Sequence, residues 1–143
     1  MNLTTFFEND LTKLSTEISL FQDEASVWKT KDGITNSAGN LALHLIGNLN
    51  HFIGTTLGNT GYVRKREDEF SLKNIPREKL ISDINDLKET IKNTLPKLSA
   101  EDLQKDFPLK IREEVYSTQN VLIYLLAHLN YHLGQVNYLR RML

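Results

Sequence analysis

The sequence predicts an all-α protein, a four-helix bundle with a long connection between its second and third helices. Three observations carry this. Apolar residues recur at the 3.6-residue helical period in four separate segments. No Asp, Glu, Lys or Arg lies between Asp32 and Arg64, nor between Glu114 and Arg140, as expected of two helices buried on most sides. The stretch from Gly58 to Ile75 is too long for a tight turn between antiparallel neighbours, so it crosses the bundle or builds a site.

The first helix is expected from about Thr5 to Ala25. Leu3, Phe7, Leu11, Leu14, Ile18 and Phe21 form its apolar stripe, and Thr5 with Glu8 three positions on has the form of a capping box. The second starts at Asn36 or Ser37, both good caps, and runs to about Gly58. Its apolar face is Leu41, Leu45, Leu49, Phe52, Ile53 and Leu57. A second stripe on it, Asn40, His44, Gly47, His51, Gly54 and Gly58, carries glycines that each cost a helix about 1 kcal/mol against alanine. That face needs room, for another backbone or for a ligand. Pro76 opens the third helix at a favoured first-turn position. Leu80, Ile84, Leu87, Ile91 and Leu95 line it, and Pro96 ends or kinks it. Ser99 to Ser117 is irregular, with room for a short extended piece where Leu109 and Ile111 alternate with Lys110 and Arg112. Ser117 or Thr118 caps the last helix, whose inner stripe is Val121, Leu125, His128, His132, Val136 and Leu139.

Composition narrows the function. The 143 residues suit one domain, 1–143, able to bury about 70% of its unfolded surface. There is no cysteine, which excludes a disulfide scaffold, an iron–sulfur cluster, a cysteine nucleophile and a thiolate zinc site. The net charge of −1 provides no broad field for nucleic acid or an anionic membrane. The uncharged runs are broken by Asn, His and Gln and do not suit a membrane span. The opening MNLTTFFENDL lacks the basic start of a signal peptide, so a cytoplasmic protein is expected.

All four histidines, His44, His51, His128 and His132, lie in the two uncharged runs. His128 and His132 stand at i, i+4, about 6 Å apart along the axis and on one face, close enough to chelate one ion. His44 and His51 are about 10 Å apart along theirs, so only one of them completes a three-histidine site. Three neutral imidazoles suit zinc or nickel better than calcium or magnesium and leave a coordination position open. The same spacing also fits a polar core in which the histidines hydrogen-bond to Asn or backbone.

The stretches NLALHLIGNLNHFIG and HLNYHLGQVNYLRRML, with GYVRKREDEF between them, resemble the DinB/YfiT superfamily of small metal-binding four-helix bundles. The likeness spans nearly the whole chain. It implies an up-down-down-up bundle, often a homodimer, with a divalent metal on His44, His128 and His132 and His51 outside the set. It further implies a metal-dependent enzyme, such as a thiol S-transferase acting on a small molecule through a low-molecular-weight thiol or water on the ion. A metal-binding or purely structural homodimer without catalysis is the alternative.

Other residues keep two readings. Tyr62, Arg64, Lys65 and Arg66 precede three carboxylates in what is either a solvated loop or a segment from which Arg64 or Arg66 grips a substrate carboxylate. Arg64, Tyr62 and His51 are the candidate substrate contacts. Asn48 and Gln135, each one turn from a histidine, either orient it or are plain polar residues. The stripe Tyr124, Tyr131 and Tyr138 is packing or a dimer seam, and the uncharged helices together offer more surface than one core needs.

Overall fold

The computed structural model describes residues 2–143. Four long helices build it: α1 (Leu3–Leu20), α2 (Ala38–Leu49), α4 (Arg77–Thr94) and α6 (Thr118–Met142). Two short ones lie in the connections, α3 (Arg66–Ser71) and α5 (Ala100–Gln104). Caps set most boundaries. Asn2 accepts from the Thr5 amide at 3.1 Å, so the start of α1 lies earlier than the expected Thr5–Glu8 capping box. Ser37 accepts from Asn40 and starts α2, and Ser117 accepts from Asn120 and starts α6. A true capping box appears between Ser99 and Asp102 at α5, inside the segment expected to be irregular. Instead of an extended piece, that segment holds only two isolated bridges, Asp106 with Ser117 and Ile111 with Glu114.

Contacts along the helices give the topology. Asp10 meets Asn130 and Glu17 meets Asn137 and Arg140, so α1 and α6 run parallel. Lys92 faces Glu8 while Arg77 bonds Ser19 and Phe21, so α4 runs against α1. His44 faces His128 and His132, while Leu41 and Leu139 share one cavity wall, so α2 runs against α6. The order is up-down-down-up, with α1 and α2 on one diagonal. Phe7, Leu11, Leu14 and Ile18 of α1 meet Leu45 and Leu49 of α2, Leu80, Ile84, Leu87 and Ile91 of α4, and Leu122, Leu125 and Leu129 of α6 in one core.

The two uncharged helices differ in their surroundings. Every residue of α2 except Leu43 is buried, because the 58–75 segment and the Ala25–Trp28 turn cover the side that the long helices leave open. Gly39 admits that cover: a Cβ there would lie 2.7 Å from three carbons of the Trp28 ring. In contrast, α6 leaves Ile123, Tyr124, Tyr131, Tyr138 and Met142 exposed. Among the described residues no helix is long and apolar enough to cross a membrane.

Past Leu49 the helix widens into a π-helical turn over Asn50–Thr55, with Thr56 bonding back to His51 and Gly58 to Ile53. This turn carries His51.

Two stability outcomes follow. Leu45→Ala, at a fully buried position, should lower unfolding free energy by about 2–5 kcal/mol in urea denaturation. Burial alone would raise the Glu17 carboxyl, but hydrogen bonds from Arg140 and Asn137 outweigh it and hold it below the usual carboxylate range. Its stabilising contribution is therefore present above the ordinary Glu range and is lost as pH falls through the lowered value. Glu17→Gln should flatten that part of the acid limb in a pH series of thermal melts.

Candidate metal centre

The buried face of α2 begins with Asn40. Its amide donates to the carbonyls of Glu69 at 3.0 Å and Leu72 at 2.9 Å, and its carbonyl accepts from Ser37 and Lys73. One wholly buried side chain therefore fastens the backbone around α3 to α2. The fastening brings Glu69 and Phe70 against His44, one turn further along.

Glu69 is 5% exposed. Its Oε1 accepts from His44 Nδ1 at 3.0 Å, while Arg64 donates Nε to Oε2 at 2.8 Å and Nη2 to Oε1 at 2.9 Å. Burial would raise this carboxyl, yet the bonds from His44 and Arg64 outweigh it and keep it lowered, hence ionised. The ionised carboxylate accepts the proton on His44 Nδ1, and Nε2 of the same ring points inward toward the α6 imidazoles. Gly47 makes the approach possible, because a Cβ there would lie 2.0 Å from Glu69 Oε2.

The other two imidazoles come from α6, one turn apart. His132 Nδ1 donates to Gln135 Oε1 at 2.7 Å, so its Nε2 presents a lone pair. His128 Nε2 lies 3.2 Å from His44 Nε2 and 3.1 Å from His132 Nε2. Burial, with the neighbouring imidazoles and arginines, lowers His128 to about 4, and burial lowers His132 as well. Both are therefore neutral near pH 7. Tyr124 stacks on His128 with ring centroids 6.3 Å apart, and the Tyr131 ring meets His132 at 5.2 Å.

This donor set fits a divalent ion. The three ligating atoms lie within 4.8 Å of one another. Tetrahedral bonds of 2.0–2.1 Å to zinc place ligand nitrogens about 3.3 Å apart, near the two separations found here. Among the described residues, Nε2 of His44 and Nε2 of His132 each meet no polar atom but His128 Nε2, and the buried Nδ1 of His128 has no partner. A cation shared by the three Nε2 atoms bonds all of them at once.

The remaining expected residues are dispersed. His51 is half-buried against Phe52 in the widened turn, outside the trio. Tyr62 lines a cavity of about 490 Å³ with Leu43, Ile46, Lys65 and Glu69, which none of the three histidines lines. Arg64 is engaged on Glu69. Gln135 orients His132, whereas Asn48 is buried with its carbonyl oxygen unpaired and bonds no histidine. The glycine stripe that runs from α2 into the widened turn and beyond it is closed rather than open to a ligand: Glu69 fills it at Gly47, Thr60 and Thr90 at Gly54, and Thr94 at Gly58. Sequence reasoning missed Glu69. It sits in a run of charges that has the pattern of a solvated loop, and the only hint was a glycine one turn beyond His44.

Residues 5–143 match the family described as protein of unknown function DUF1572. Among solved structures, the crystal structure of a DinB-like protein from Bacillus cereus at 2.01 Å resolution matches with a TM-score of 0.71 and 13% identity. That match covers 93% of this chain and 85% of the other, and at this identity it speaks for the fold. No curated protein matches. With the family covering nearly its whole length and the bundle topology agreeing, the chain belongs to the DUF1572 family and has a DinB-like fold.

Proposed function

We propose that the chain holds one divalent ion, zinc or nickel, through Nε2 of His44, His128 and His132, and that it is a metal-dependent transferase or hydrolase acting on a small molecule with a soluble thiol or water as nucleophile. The carrying observation is the convergence of three Nε2 atoms whose ring orientations are set from behind at His44 and His132. When bound, such an ion supplies Lewis acidity and brings the pKa of an adjacent water or thiol toward neutrality. The chain has no cysteine of its own to act as nucleophile. Glu69 holds the His44 proton on Nδ1 and raises the basicity of that ring, Arg64 holds Glu69, and Gln135 does for His132 what Glu69 does for His44. A cytoplasmic setting agrees with a reduced thiol pool. Of the substrate contacts considered in sequence, Arg64 acts in this reading as a positioning residue. Tyr62 and His51, both outside the trio, are left as contacts for an extended substrate.

A second observation supports self-association. Tyr124, Tyr131 and Tyr138 lie at heptad spacing on the outer face of α6, exposed beside the histidine pair. We propose that a second copy covers this stripe in a C2 dimer.

Protein purified without an affinity tag should carry one ion per chain by plasma mass spectrometry. His128→Ala should lose it and His51→Ala should keep it. Loss in His51→Ala with retention in His44→Ala would overturn the ligand assignment. Glu69→Gln and Gly47→Ala should each weaken metal binding about 10–100-fold in chelator competition, the second because its methyl displaces the carboxylate. Thiol transfer to a simple electrophile should stop on chelation and return with added metal. In sedimentation, the wild type should run as a dimer at micromolar concentration and Tyr131→Lys as a monomer.

A further inference from the structure

Two arginines flank Lys65, and the fold gives them opposite roles. Arg64 is 14% exposed at its side chain; its Nε and Nη2 bond Glu69, and Nη2 also lies 3.4 Å from His44 Nδ1. Arg66, at the first residue of α3, is exposed and has no carboxylate within ion-pair distance among the described residues. The acidic side chain one turn ahead of it, Glu69, is already occupied. A cation in the first turn of a helix is also at the end its dipole disfavours. Among the described residues no ion pair accounts for a guanidinium there.

What Arg66 does touch leads to the metal centre. Its Cζ lies 6.0 Å from the centroid of Phe70, the face of which it covers. Phe70 in turn packs on His44 at 5.0 Å. Phe70 thus stands between Arg66 and His44, and the Arg66 charge is among those that lower His128. The planar fork of a guanidinium suits a carboxylate bidentately, and its contact with Phe70 uses none of its donors.

We infer that Arg66 binds the carboxylate of an anionic thiol whose sulfur occupies the open position beside His44, His128 and His132. This rests on the thiol reading above, and it narrows the substrate from any soluble thiol to one carrying a carboxylate a few bonds from sulfur. Arg64, two residues away, serves Glu69 and does not contact the ligand.

The test uses the cobalt-loaded protein and two thiols of similar length, 3-mercaptopropionate and neutral 2-mercaptoethanol, titrated by visible absorption. The wild type should bind the charged thiol about 10–100-fold more tightly, as a charge-assisted bond supplies. Arg66→Gln should abolish that preference while leaving 2-mercaptoethanol binding unchanged, and Arg66→Lys should keep part of it. Equal affinity in the wild type, or a preference that survives in Arg66→Gln because the carboxylate chelates the ion itself, would overturn the role of Arg66 and leave the thiol reading intact. If neither thiol perturbs the spectrum, the thiol reading fails and this inference falls with it.

Discussion

A carboxylate taken out of water costs several kcal/mol unless charged or hydrogen-bonding partners replace the solvent. Glu69 is such a carboxylate, and much of the chain from Ser37 to Lys73 is arranged around it. His44 and Arg64 supply its partners. Gly47 has no side chain because the carboxylate occupies the space. Asn40 pins the backbone that carries it. The long connection after α2 is long because it must return along that helix to deliver Glu69 before α4 begins.

The same arrangement accounts for the electrostatic character of α2. A helix covered by neighbours on every side cannot carry charge, and its polar residues must each find a partner in the cover. Asn40 and His44 find theirs in the 69–73 segment. Asn48 does not, and its carbonyl oxygen stays unpaired. His44 is therefore rigid and oriented by an anion, whereas His132 is oriented by a neutral amide on its own helix and lies half-exposed. The three nitrogens converge from the buried α2 and the half-exposed α6, with the rings of Phe70, Tyr124 and Tyr131 packed around them.

Arg64 and Arg66 show how local geometry divides chemically equal side chains. The chain at Arg64 is not yet helical, and at Arg66 it enters α3. This change of direction turns one guanidinium inward onto Glu69 and leaves the other at the surface over Phe70. The first is part of the support of the imidazoles. The second is available to whatever comes to them.

The sequence by itself determined the helices, because their signals are local: apolar period, caps at Ser37 and Ser117, and the proline before α4. It determined the candidate pair His128 and His132, because i, i+4 spacing puts two side chains on one face whatever surrounds the helix. It also marked two helices as unusual through their missing charges. Tertiary structure decided the rest. Whether His44 or His51 meets the pair depends on the antiparallel register of α2 against α6, which no local pattern announces. The buried Glu69 among RKREDEF was invisible for the same reason. A charge run has the same composition whether solvent or a histidine faces it, and only the return of the chain along α2 selects one carboxylate of three for burial. The glycines of α2 were legible as a demand for space, but what fills it is another part of the chain.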